Sequence, residues 1–159
     1  MTAGLEHGAA MIERGVGDLL RADVEALVNA VNCRGVMGKG LALQFKKAFP
    51  EVFGAYAAAC DGGTVRIGRV HVVERQGSPR FVINFPTKDD WRKPSKLEFI
   101  EAGLLDLVEQ VRSRRIKSLA IPPLGCGLGG LDWSQVRLMI VEAFATENVR
   151  VVLFEPERG

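Results

Sequence analysis

Twice in this sequence an apolar run with strand character breaks into glycines and then gives way to helical spacing. Ala26–Asn32 (ALVNAVN) reads as a buried strand with a polar end, residues 36–40 (VMGKG) as a glycine-rich turn, and residues 41–49 as a helix. Ser118–Ile121 reads as a second buried strand, residues 122–132 as a glycine-rich loop, and residues 134–145 as a helix. Returning a chain to a parallel strand takes a crossover, usually a helix, so repeated strand–loop–helix units predict an α/β fold with a largely parallel or mixed sheet. In such sheets ligands bind outside the carboxyl ends of the strands. The loops that follow strands are therefore where function is sought.

The remaining elements fit the same scheme. Residues 50–60 read as a helix with Pro50 in its first turn, where a missing N–H costs nothing. Residues 67–74 and 80–85 read as strands joined by a Gly-Ser-Pro turn. Residues 95–114 give the clearest helix: Ser95 and Glu98 spell a capping box, and Leu97, Ile100, Leu104, Val108 and Val111 form one apolar stripe. Arg112, Arg114 and Arg115 stand at its C-terminal end, as the helix dipole prefers. Residues 149–154 read as the last strand. Patterning begins at Met11, and residues 1–10 are expected to be a loose extension ahead of a single domain over 11–159.

A chain of 159 residues can bury a core without a disulfide or metal staple. Hydrophobic residues at 47% and charged residues at 25% exclude disordered and collagen-like classes. No apolar run reaches the roughly 18 residues of a membrane span. Residues 1–10 carry Glu6 and His7 and lack the apolar stretch of a secretory signal. Cys33, Cys60 and Cys126 are widely spaced without a C-x-x-C, and the only histidines are His7 and His71. Reduced thiols, a cytoplasmic location and metal-independent chemistry are expected.

Three strand-end loops carry the chemistry. In the first, Asn29 and Asn32 offer donors and acceptors to sugar hydroxyls, and Gly35, Gly38 and Gly40 let backbone approach a ligand ahead of a helix N-terminus suited to an anion. It matches neither Walker A nor G-x-G-x-x-G. In the second, Gly125, Gly127, Gly129 and Gly130 crowd six residues, as a nest of N–H groups for a diphosphate requires. In the third, Lys88 follows Asn84-Phe-Pro-Thr87; a lysine there can pair with phosphate or serve as acid, base or nucleophile. Trp91 either packs on the core or stacks on a base. Arg34, Lys39, Lys46 and Lys47 have no acid between them, and the eight basic residues from Arg66 to Lys96 face only Glu74, Asp89 and Asp90. That basic centre suits a phosphate-bearing or nucleic-acid ligand, or a solvated face. Together the loops point to a nucleoside diphosphate bearing an extra sugar.

The sequence resembles a macrodomain, from the Gly17-Asp18-Leu19-Leu20 opening through VNAVNCRGVMGKGLALQFKKAFP and INFPTKDDWRKPSKLEFIEAGLLDL to PPLGCGLGGLDW and the final strand into Phe154. These strings are most similar to the macrodomains of DarG antitoxins, in the branch of the human terminal ADP-ribose protein glycohydrolase. The resemblance implies a three-layer α/β/α fold that binds ADP-ribose, with no other cofactor. It implies removal of ADP-ribose from thymidine bases of single-stranded DNA, opposing a DarT-type toxin, by a protein expected to be monomeric. Full-length DarG proteins carry a further C-terminal region that contacts the toxin.

Carried onto this sequence, Asp18 and Leu19 would bind adenine, with Phe154 nearby. Asn29, Ala30, Val36, Met37, Gly38 and Gly40 would line the ribose and diphosphate path, with Thr87, Pro123, Leu124, Gly125, Cys126, Gly127, Leu128, Gly129 and Gly130. Asn32 would position the proximal ribose, and Lys88 would carry the catalysis. The human relative has Asp where this chain has Gly129, so a lysine–sugar adduct resolved by that acid is not expected. Lys88 would protonate or stabilise the leaving base, or attack the anomeric carbon as a neutral amine. The rival readings are a binding module that reads ADP-ribose without cleaving it, and a hydrolase of ADP-ribosyl-glutamate esters on protein.

Overall fold

The computed structural model describes residues 10–157; the expected N-terminal extension lies, apart from Ala10, outside the described residues. The elements run β1 (Met11–Arg14), a 3-10 turn (Leu19–Arg21), β2 (Ala26–Asn32), α1 (Gly40–Ala48), α2 (Pro50–Asp61), β3 (His71–Glu74), β4 (Phe81–Lys88), α3 (Leu97–Ser113), β5 (Ser118–Ile121), α4 (Trp133–Phe144) and β6 (Arg150–Leu153). The strands form one six-stranded sheet in the order β1-β6-β5-β2-β4-β3. Every neighbouring pair is parallel except β3 with β4. No helix among the described residues is long and apolar enough to cross a membrane.

Alternation along the strands builds the layers. Ala26, Val28, Phe81, Ile83, Leu119, Ile121, Val151 and Leu153 pack with Ile100, Leu104, Leu107 and Val111 of α3 and Val136, Ile140 and Phe144 of α4. The intervening Leu27, Val82, Ala120 and Val152 face the other way, onto Phe45 of α1 and Val52 of α2. Side chains of successive strand residues point to opposite faces, so one sheet sandwiched by helices satisfies both sets. The three-layer α/β/α expectation holds, and so does the apolar stripe of α3.

Local expectations needed correction at three places. The strand expected over residues 67–74 begins only at His71, because Gly68 turns the chain at φ +89° between Arg66 and Arg69. The Val70 N–H goes to the Asp106 carboxylate (2.8 Å) instead of a ladder. The strand expected to stop at Phe85 continues through Pro86 and Thr87 to Lys88. β3 pairs with β4 no further than His71–Asn84, so beyond that point β4 has β2 on one side only and the proline removes no needed donor. Finally, Ser95 does not cap α3. The helix starts at Leu97 after Lys96, with no side-chain cap. Ser95 is buried instead against the glycine loop, where its N–H donates to Gly129 O (3.0 Å).

Candidate active site

Because β1, β6, β5, β2 and β4 run parallel, their carboxyl ends share one edge of the sheet, and the expected loops lie along it. At one end, Asp18 follows β1. It is exposed, and one carboxylate oxygen accepts from Leu20 N–H (3.0 Å), while the other has no partner among the described residues. Phe154, just past β6, lies beneath the approach to that loop: a Cβ on Gly15 would sit 2.5 Å from its ring. The Gly15 N–H holds the loop to Leu153 O (2.9 Å).

The glycine loop follows β5. Gly125 sits at φ +74°, and Leu131 N–H closes the loop onto Gly125 O (2.9 Å). Among the described residues, the N–H groups of Gly127, Leu128 and Gly129 find no acceptor, which is the state of an anion nest. There is no room for a side chain at position 129: its Cβ would meet Gly125 O and Ser95 Oγ inside van der Waals contact. An acidic side chain at this position is excluded by the backbone of its own loop. The first N–H groups of α1 follow the glycine turn after β2. Val36 and Leu128, one on each loop, are exposed apolar side chains at 38% and 78%.

At the far end lie Asn32 and Lys88. They close their strands as register partners, with an irregularity between Val31 and Asn32 that skips the buried Thr87. Lys88 is half-buried, and Nζ donates to Trp91 O (3.4 Å). No carboxylate among the described residues lies within salt-bridge distance of it. Asn32 is more occupied than its spacing suggests. Its Oδ1 accepts from Arg34 N–H (2.8 Å) and Tyr56 OH (2.9 Å), and Nδ2 donates to Val36 O (2.8 Å). Its amide therefore shapes the turn. Tyr56, fully buried, also reaches Asn32 O (2.7 Å). Burial pushes its phenol well above the usual range, so it is a permanent donor. Sequence reasoning missed this residue; a lone tyrosine inside the apolar run of α2 was its only signal.

Several expected ligand contacts have their side chains in the interior. Asn29 is fully buried and donates from Nδ2 to Asn84 Oδ1 (3.3 Å), its register partner on β4, and toward Met37 Sδ (3.9 Å). Met37 packs with Val31, Tyr56 and Val65, and Leu124 and Leu19 are core. Burial withdraws these side chains from a ligand; for Leu19 and Leu124 the backbone remains available. Cys126 is also buried, with Sγ directed at Leu124 O (3.6 Å). Ala30 and Pro123 are half-buried, and Gly38, Gly40, Gly127 and Gly130 are exposed along the edge. The cysteines are free. Burial pushes Cys33 and Cys126 up to about 11, which keeps both protonated near neutrality and unfit as nucleophiles.

The loops around Lys88 are stitched together. Cys33 N–H donates to Asp89 O (3.2 Å), and Arg34 reaches Asp89 (3.4 Å) and Asp90 (3.5 Å). The Arg92 guanidinium grips Asp90 with two bonds (3.0 and 2.8 Å) and holds its carboxyl far below the usual range.

A family model for the Macro domain matches residues 28–140. The chain belongs to the macrodomain family. This macrodomain is 55% identical over 152 residues to the DNA ADP-ribosyl glycohydrolase of Mycobacterium tuberculosis, a match covering 94% of the chain. It spans 43% of that relative's length. It superposes on the solved macrodomain of Mycobacterium tuberculosis DarG with a TM-score of 0.91 at 54% identity, covering 94% of this chain and all of that one. Thermosipho africanus DarTG, solved in complex with ADP-ribose, matches at 35% identity and a TM-score of 0.84, over 90% of this chain and 41% of that one.

Proposed function

We propose that this macrodomain hydrolyses the bond between ADP-ribose and thymidine bases of single-stranded DNA, and so acts as the antitoxin to a DarT-type DNA ADP-ribosyltransferase. One observation carries the reading. Along the sheet edge the strand order β1-β6-β5-β2-β4 sets out, in turn, Asp18, Phe154, the glycine nest, Asn32 and Lys88. That is the order adenine, diphosphate, ribose and anomeric carbon. Four interstrand spacings give about 19 Å, the scale of an extended nucleoside diphosphate sugar. The mycobacterial relative, a DNA ADP-ribosyl glycohydrolase by name, supports the same reaction.

Hydrolysis breaks the bond from the anomeric carbon to the base nitrogen. Water gives its hydroxyl to the carbon and a proton goes to the base. Charge develops as a cation on the sugar and an anion on the base. Lys88 Nζ, with one long hydrogen bond to Trp91 O, keeps donor capacity for the departing base, as protonation and electrostatic stabilisation both require. Asn32 and the turn it holds fix the ribose, and the N–H nest takes the diphosphate charge.

Position 129 weighs against glutamate esters as the preferred substrate, because the acid paired with the lysine in the human relative has no space here. The test offers one oligonucleotide carrying ADP-ribose on thymine and one protein modified on glutamate. Release from the DNA is expected, with little or none from the protein. Tight ADP-ribose binding without release from either would make the chain a binding module.

A further inference from the structure

We propose that the loop from Lys88 to the start of α3 holds the DNA strand: the modified base stacks on Trp91, and flanking phosphates follow a groove over Lys93 and Lys96. This rests on the glycohydrolase reading above. Lys88 Nζ touches the backbone carbonyl of Trp91 (3.4 Å), so this residue lies beside the candidate catalytic amine. The Trp91 side chain is not core; the residue is 49% exposed. The Arg92 guanidinium lies 5.1 Å from the ring centroid, and Arg92 is itself fixed by its two-bond pair with the buried Asp90. The indole is thus braced by a cation while much of it stays open.

Asp89 and Lys93, two residues to either side of Trp91 in the chain, line a groove of about 390 Å³ with Ile67, Pro94, Lys96 and Phe99. Ile67 and Phe99 supply a half-buried apolar floor, and Lys96 Nζ sits 5.7 Å from the Phe99 ring centroid. The two carboxylates of the loop are engaged by arginines, Asp89 by Arg34 and Asp90 by Arg34 and Arg92. Among the described residues, no carboxylate lies within salt-bridge distance of Lys88, Lys93 or Lys96. An open aromatic ring beside uncompensated cations is the surface that binds single-stranded nucleic acid, where every base offers a face to stack and every linkage a charge. A duplex would hide the base from the ring.

The experiment pairs two readouts. Anisotropy follows binding of an unmodified labelled single strand, and turnover follows ADP-ribose release from a thymine-modified strand, both at low and high salt. Trp91→Ala is expected to weaken strand binding about tenfold and Trp91→Phe to restore most of it. The double variant Lys93→Glu with Lys96→Glu is expected to weaken binding at least tenfold with a shallower salt dependence. In both cases KM for the modified strand rises more than kcat falls. ADP-ribose affinity, measured by calorimetry, stays at the wild-type value and shows that the fold is intact. Strand binding equal to wild type in every variant, or none by wild type itself, overturns the proposal. Loss of turnover on a glutamate-modified protein with unchanged strand binding assigns the surface to a protein and overturns it too. Strand binding lost in the variants, with no turnover of DNA by wild type, supports the surface and defeats the glycohydrolase reading instead.

Discussion

At the residue scale the site rests on how Asn32 is held. Its amide carries three bonds of 2.8–2.9 Å that fix the turn through Val36, and one of them comes from Tyr56. Tyr56→Phe keeps the ring and removes the hydroxyl that two Asn32 oxygens share. A loss of about 1–2 kcal/mol in stability is expected, read by urea unfolding. A fall in kcat on the modified strand, with ADP-ribose affinity within a few fold of wild type, would mark it as a positioning residue. Lys88 and Asn32 were legible from sequence because each stands where an apolar run turns polar, and strand ends feed the ligand edge. Asn29 was not. Its amide meets Asn84 across β2 and β4, a pairing 55 residues apart that no local pattern reveals. Met37 sits in a glycine turn that reads as open, yet its thioether packs between Val31 and Tyr56.

At the element scale, close contacts set where β4 and the glycine loop lie. Gly103 of α3 lies against Phe85, three residues ahead of Lys88. An added Cβ there would overlap the ring, and Phe85 is fully buried. Helix propensity favours Ala over Gly by about 1 kcal/mol, but overpacking costs roughly 1–3 kcal/mol. Gly103→Ala is therefore expected to lower Tm by a few degrees, measured by calorimetry, although the same change stabilises an ordinary helix. Gly129→Asp has no compensating term, because the obstructing atoms include Gly125 O. It should weaken ADP-ribose binding at least tenfold by titration calorimetry, and should not create turnover of glutamate esters. The α3 stripe and both glycine loops were readable because periodicity and composition are local. Ser95 misled: its S-x-x-E spelling fits a capping box, but contact with Gly129 from a different loop takes the serine away from the helix end.

At the scale of the whole molecule, the parallel sheet lines up five scattered segments as one linear candidate site, and a buried polar chain ties its far edge to β3. Asn29 donates to Asn84 Oδ1, and the Asn84 amide nitrogen faces His71 Nδ1 at 3.2 Å. That contact needs Nδ1 unprotonated, and burial lowers the His71 pKa below its ordinary 6.5. Above 6.5 the folded and unfolded chains both hold a neutral imidazole, so the contribution is fully present. Below it the unfolded state takes the proton first, and stability falls as pH drops toward the folded value. Thermal melts between pH 7 and 5 should show this loss, and His71→Gln should flatten it. The strand order along this edge was beyond sequence reasoning, which supplied five of the six strands and the fold class but neither β1 nor which strand lies beside which.

The most direct measurement is ADP-ribose release from a thymine-modified oligonucleotide by wild type and by Lys88→Ala, with ADP-ribose affinity measured in parallel. Release by wild type that drops at least a hundredfold in the variant, with affinity retained within about tenfold, is the expected result for a lysine acting on the departing base. Full turnover by a folded Lys88→Ala would contradict the central claim and place the chemistry elsewhere on the edge.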